Sequence, residues 1–206
     1  MAAARRIEWL GVDDPARRDA ALVRLGTDGL VAAGASVADA WTSAWSLEVG
    51  PGWITRRLAV RTQGPGWARS LALTRGEDGR WTAEATDEGD VDLPPPGLAR
   101  ADDLDRALDC DLGLNPLTNT MPIRRLGLLR QRVPETELLM AWVDVPSLAV
   151  VGSRQVYGSS DGSLTLGHEV DYFSQDRGFH SRLSVEGDGL VLEYPQLARR
   201  ARSGAG

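Results

Sequence analysis

The stretch Trp41-Thr42-Ser43-Ala44-Trp45-Ser46-Leu47-Glu48-Val49 decides the fold. In an extended chain Trp41, Ser43, Trp45, Leu47 and Val49 share one face, and Thr42, Ala44, Ser46 and Glu48 share the other. A helix would scatter the same residues around its circumference. The period of two recurs. Ile54, Leu58 and Val60 oppose Trp53, Thr55, Arg57 and Arg61. Trp67, Leu71 and Leu73 alternate with Ala68, Ser70 and Ala72. Leu139, Ala141, Val143 and Val145 alternate with Met140, Trp142 and Asp144, and Phe179, Leu183 and Val185 with His180, Arg182 and Ser184. So many alternating segments predict a mainly all-β chain. The expected architecture is a large curved antiparallel sheet, closed or nearly closed into a barrel because open edges invite aggregation, with one or two short helices.

Turn chemistry punctuates these segments. Asp-Gly occurs at Asp28-Gly29, Asp78-Gly79, Asp161-Gly162 and Asp188-Gly189, predicting four hairpins with type I′ turns. Gly-Pro-Gly-Trp occurs at Gly50–Trp53 and Gly64–Trp67 and reads as two strand openings. Helix signals compete in a few places. Asp13-Asp14-Pro15 looks like a cap followed by Pro at the first helical position, before Ala16-Arg17-Arg18. Leu104–Leu108 has helical propensity, and Tyr194–Arg200 reads as a short terminal helix. The Pro-rich Leu93–Ala101 reads as a loop joining two halves of one fold, so a single domain over 1–206 is expected, ordered from about 5 to 200.

Composition narrows the function. Across 206 residues, 23 basic and 29 acidic residues leave a net charge of −6, which argues against a nucleic-acid partner. A 42% hydrophobic share is too apolar for a disordered chain. Every basic residue is Arg, which removes Schiff-base chemistry and the phosphate-gripping Lys of a P-loop. Seven of the aromatic residues are Trp, suited to ligand walls as well as to cores. Cys110 is alone, so no internal disulfide forms. The start, Met-Ala-Ala-Ala-Arg-Arg-Ile-Glu-Trp, carries no apolar run before a cleavage site, and no spanning segment is present, so a cytoplasmic location is expected. His168 and His180 lack the neighbours a zinc site needs, so neither metal nor cofactor is expected.

The segment from Asp109 to Leu126 follows neither periodicity. Asp109-Cys110-Asp111 leads through Leu112-Gly113-Leu114 to Asn115-Pro116-Leu117-Thr118-Asn119-Thr120-Met121-Pro122-Ile123-Arg124-Arg125-Leu126. Asn115-Pro116 starts a turn, and Thr118 or Asn119 can cap a short helix with Pro122 in its first turn. Arg124 and Arg125 then reach back toward Asp109 and Asp111 as bidentate pairs. Together with Gln155-Val156-Tyr157 and Asp188–Pro195, this run resembles the bacterial family named "putative glycolipid-binding", over about Arg5 to Arg200. Arg-Arg-Ile-Glu-Trp near the start and Gly-Trp-Ile-Thr-Arg fit the same pattern. Met121 stands where the family usually has Leu, and Leu117 where an aromatic or small residue is common. The resemblance implies a closed antiparallel barrel, like those of bacterial lipoprotein carriers, that binds an amphipathic ligand without catalysis.

Candidate ligand-binding residues are Trp45, Trp53, Asp109, Asp111, Asn119, Arg124, Arg125, Gln155 and Tyr157. Trp45, Trp53, Trp67 and Trp142 either stack on sugar rings or belong to the core. Asp109 and Asp111 share one face if extended, and three readings follow. The paired carboxylates recognise a polar head group; they act as acid and base in a hydrolase; or, with Arg, they lock a barrel whose interior is filled. Arg partners are expected to depress both carboxyls, which would spoil a general acid. The first reading, binding of a glycolipid or similar amphiphile in or at the mouth of a barrel, is the one the residues and the resemblance favour.

Overall fold

A computed structural model describes residues 3–160 and 168–201. The chain is mainly β, with 56% strand and 8% helix. The first half is a meander: β1 (Arg5–Gly11), β2 (Arg18–Leu25), β3 (Leu30–Val37), β4 (Thr42–Gly50), β5 (Ile54–Gly64), β6 (Trp67–Arg75) and β7 (Trp81–Gly89). The second half holds β8 (Gly97–Leu98), β9 (Asp109–Leu112), β10 (Thr136–Val143), β11 (Ala149–Ser159), β12 (His168–Ser174), β13 (Phe179–Val185), β14 (Val191–Tyr194) and β15 (Ala198–Arg200). One helix, α1 (Thr120–Leu126), follows a 3₁₀ turn at Pro116–Asn119.

Hydrogen bonding runs in one path, β7-β6-β5-β4-β3-β2-β1-β15-β14-β13-β12-β11-β10-β9, with β8 beside β11. The sheet is curved and its ends do not meet, so the expected barrel closure is corrected to an open sheet. Charge and proline protect the free edge. β7 exposes Glu84, Asp87 and Glu88, and Pro94-Pro95-Pro96, which lack N–H donors, follow it. The sheet is also mixed rather than purely antiparallel, because β9 pairs parallel to β10 and β8 parallel to β11.

The alternation of β4 holds: Ser43, Trp45, Leu47 and Val49 are buried and their neighbours are not. In β5 it fails at one point. Glu48 pairs with Arg57 but Val49 with Thr55, so Arg56 is bulged out. The bulge flips the parity, turning Thr55 inward with Leu58 and leaving Ile54 half-buried. Hairpins form at Asp28-Gly29, Asp78-Gly79 and Asp188-Gly189, while Asp161-Gly162 lies outside the described residues. None of the three is a type I′ turn. At Gly79 (φ 85°) and Gly189 (φ 89°) only the glycine is left-handed, and the preceding Asp accepts the N–H of the residue after the glycine. That is the longer loop ending in one left-handed residue.

The three competing helix signals do not become α-helices. Asp13–Arg17 is a turn in which buried Arg17 binds Asp13 and Asp19 and donates to the Leu197 carbonyl. Leu104 closes a 3₁₀ turn, Ala101–Leu104, and the chain then runs into β9. Tyr194–Arg200 is a turn and then β15. This three-residue strand pairs with β1 on one side and β14 on the other, so it stitches the two halves together. Tertiary pairing overrides local helix propensity there.

Two hydrophobic cores result. The first joins the inner face of β1–β7 to Cys110, Ala141 and Val143. The second joins Met140, Tyr157, Val170, Tyr172, Leu183 and Tyr194. β10 serves both, which explains its unbroken apolar run. Leu117 and Met121 enter the first core and Ile123 the second, all fully buried, so the proline-kinked segment fills the hollow of the sheet.

Candidate functional site

Registers across the second half build the site. In β9, Asp109 and Asp111 point away from Cys110, on the side of Met140 and Trp142 of β10. Met140 faces Ser153 of β11, two residues before Gln155; Gln155 faces Ser174 of β12, Tyr157 faces Tyr172, and Ser174 faces Phe179 of β13. The row therefore places Asp111, Trp142, Gln155, Tyr172 and Phe179 on one surface. Between this surface, the Leu112–Asn119 segment and the Tyr194–Leu197 turn lies a cleft of about 300 Å³.

Asp111 is the polar centre. Thr118 Oγ1 lies 2.8 Å from its Oδ1, and Gln155 Nε2 donates to its Oδ2 at 2.6 Å. Arg177 Nη2 stands 3.9 Å from Oδ2. Arg177 also donates to Ser174 Oγ (3.0 Å) and Tyr172 Oη (3.1 Å), and lies over the Trp142 ring at 5.0 Å. Behind this shell, Tyr157 Oη donates to Asn119 Oδ1 at 2.9 Å, with Gln155 Oε1 at 3.2 Å. Next to this polar group stands an aromatic cluster in which Tyr172 meets Tyr194 edge to face at 5.6 Å and Phe179 closes the triangle. Burial pushes the Tyr172 hydroxyl up to about 12 and the Tyr157 and Tyr194 hydroxyls well up.

Two further features mark the cleft. Leu114 (φ 64°) and Gln196 (φ 69°) line it in the left-handed backbone region, conformations that non-glycine residues hold only when the surroundings impose them. Trp142 also lines it, and its buried indole N–H has no acceptor. Leu197 also lines the cleft, and its carbonyl accepts the N–H of Val12, an exposed apolar residue.

Of the residues expected to bind, the structure brings Asp111 and Asn119 to the cleft, with Gln155 and Tyr157 directly behind. The others lie elsewhere. Trp45 is in the first core, its ring laid across Gly34, where an added Cβ would fall 2.5 Å from it. Trp53 is buried under the Arg124 guanidinium, 4.8 Å from the ring centre, and neither residue lines this cleft. Asp109 is 1% exposed and holds Arg125 in a bidentate pair at 2.5 Å, with Arg125 also donating to the Trp53 carbonyl. So only Asp109 pairs with an arginine of α1, and Asp111 is served by Gln155, Thr118 and Arg177 instead. Burial pushes the Asp109 carboxyl up, against the pull of Arg125, which overturns the expected depression. The Cys110 thiol is likewise pushed up to about 12, mainly by burial.

Sequence reading missed Tyr172, Arg177, Phe179, Tyr194 and Gln196. Tyr172, Phe179 and Tyr194 carried only the signal of aromatic residues in strand-like segments, and Arg177 and Gln196, which lie in turns, carried none. Among the described residues no group of His, Cys, Asp and Glu could hold a metal ion, and no helix is long and apolar enough to cross a membrane.

Fold and cleft together define a class: an open, curved β-sheet with a helix packed into its hollow and a ligand-sized cleft on the inner face of its second half. The chain belongs to the family described as "Putative glycolipid-binding", whose model matches residues 6–200. A solved structure of a DUF1089 family protein from Pseudomonas aeruginosa is similar, with a TM-score of 0.67 and 25% identity over 89% of this chain and 92% of that one. None of the curated proteins matches.

Proposed function

We propose that this protein binds an amphipathic ligand of the glycolipid type in the Asp111 cleft and performs no chemistry on it. The carrying observation is the cleft's mixed lining, in which the polar Asp111, Asn119 and Arg177 stand beside the aromatic Tyr172, Phe179 and Tyr194. Such a pairing of a few convergent polar groups with aromatic surface suits a small amphiphile. Leu197, a half-buried residue of the lining, offers apolar surface where a chain leaves the cleft, each buried CH₂ contributing about 0.8 kcal/mol. Family membership supports the same reading.

The hydrolase reading has less support. Asp109, one of its two carboxylates, is sealed behind Arg125, and both oxygens of Asp111 are already engaged. Native mass spectrometry of protein purified from its own host, joined to a fluorescence titration with octyl glucoside, tests binding. The expected results are a bound small-amphiphile mass and an emission change that Trp142→Phe abolishes. A clean apo mass with unchanged emission would refute the proposal.

A further inference from the structure

Resting on that reading, we infer that the cleft is the seat of one uncharged sugar ring, and that the ligand's chain stays outside it. Size is the first reason. About 300 Å³ is the lower end of ligand pockets, room for one ring or a short chain and not for a whole lipid. Desolvation is the second. An alkyl chain in the cleft would cover the Asp111 carboxylate and give it no hydrogen bond, whereas hydroxyls supply donors to its remaining lone pairs. The ring of Trp142 lines the same cleft, with its buried indole N–H unpartnered, so a seated ring is felt at that side chain.

Charge is the third reason. Asp111 and Asp144 line the cleft against one guanidinium, Arg177, leaving a net negative lining. Arg177 already donates to Ser174 and Tyr172 and lies over the Trp142 face, so clamping an anion with both arms means giving up those contacts. A phosphate or uronate would meet two carboxylates and a single guanidinium that already has partners. The apolar face of a neutral pyranose fits against Tyr172, Phe179 and Tyr194.

The test uses the ¹⁵N-labelled full chain and the indole N–H resonance of Trp142, assigned by its loss in Trp142→Phe. Probes are methyl glucoside, methyl glucuronide, octyl glucoside and octanol. Methyl glucoside and octyl glucoside should both move the Trp142 resonance, and the glucuronide should need at least tenfold more ligand. Asp111→Asn should narrow that discrimination to under threefold. Equal or tighter binding of the glucuronide overturns the inference while leaving amphiphile binding intact. So does a response to octanol without one to methyl glucoside, which would put the chain in the cleft. No response to any probe, octyl glucoside included, overturns the proposed function itself.

Discussion

Asp109 and Asp111 are two residues apart and carry different duties. Burial decides between them. Asp109, sealed from water, is held by both arms of Arg125. Asp111, partly open, faces the cleft. Removing Asp109 strands a guanidinium that is 16% exposed. Asp109→Ala should therefore cost about 3–5 kcal/mol in urea unfolding, and the double variant Asp109→Leu/Arg125→Met should recover most of it. Asp111→Ala should lose ligand affinity with a smaller effect on stability, since its partners Gln155 and Thr118 keep other hydrogen bonds, to Tyr157 and to the Asn115 carbonyl. Comparable destabilisation by the two alanine variants would contradict this division.

Among elements, the 3₁₀ turn leading into α1 is organised by Asn115. Its side chain accepts the Leu117 N–H at 3.0 Å, while Asn119, the expected cap, spends its carbonyl on Tyr157. Asn115→Ala should destabilise by about 1 kcal/mol, read from the denaturation midpoint, and Thr118→Ala at the same turn should weaken the hold on Asp111. Much of this level was legible in the sequence: the strand faces of β4, β6 and β13, the Asp-Gly hairpins and the helix after Asn115-Pro116. What was hidden had non-local causes. A bulge at Arg56 reversed the face of Thr55, and Ala198–Arg200 became a strand because β1 and β14 each needed a neighbour. No local pattern carries such information, since both depend on chain segments far away in sequence. Deleting residues 196–206 should remove that seam and abolish the cooperative thermal transition seen by circular dichroism.

Across the whole molecule, the cleft was only half visible in the sequence. The polar run from Asp111 to Asn119 stood out, but the aromatic wall comes from β12, β13 and the end of β14, assembled by register alone. All three tyrosines of the chain, Tyr157, Tyr172 and Tyr194, gather there, and burial raises each hydroxyl above its ordinary value of 10.0. A folded-state value above the unfolded one means full stability below pH 10 and loss as pH climbs toward about 12. Each tyrosine should remove about 1.4 kcal/mol per pH unit in that window. Tyrosinate absorbance should stay near zero until the chain unfolds and then rise in one cooperative step; a gradual rise centred at pH 10 would deny the cluster. The most direct test of the binding claim is a crystal structure of the protein grown with octyl glucoside. The account predicts a sugar ring against Tyr172 and Tyr194 within hydrogen-bonding reach of Asp111, its chain leaving past Leu197. A glycoside seated on another face, with the Asp111 cleft empty, would contradict it.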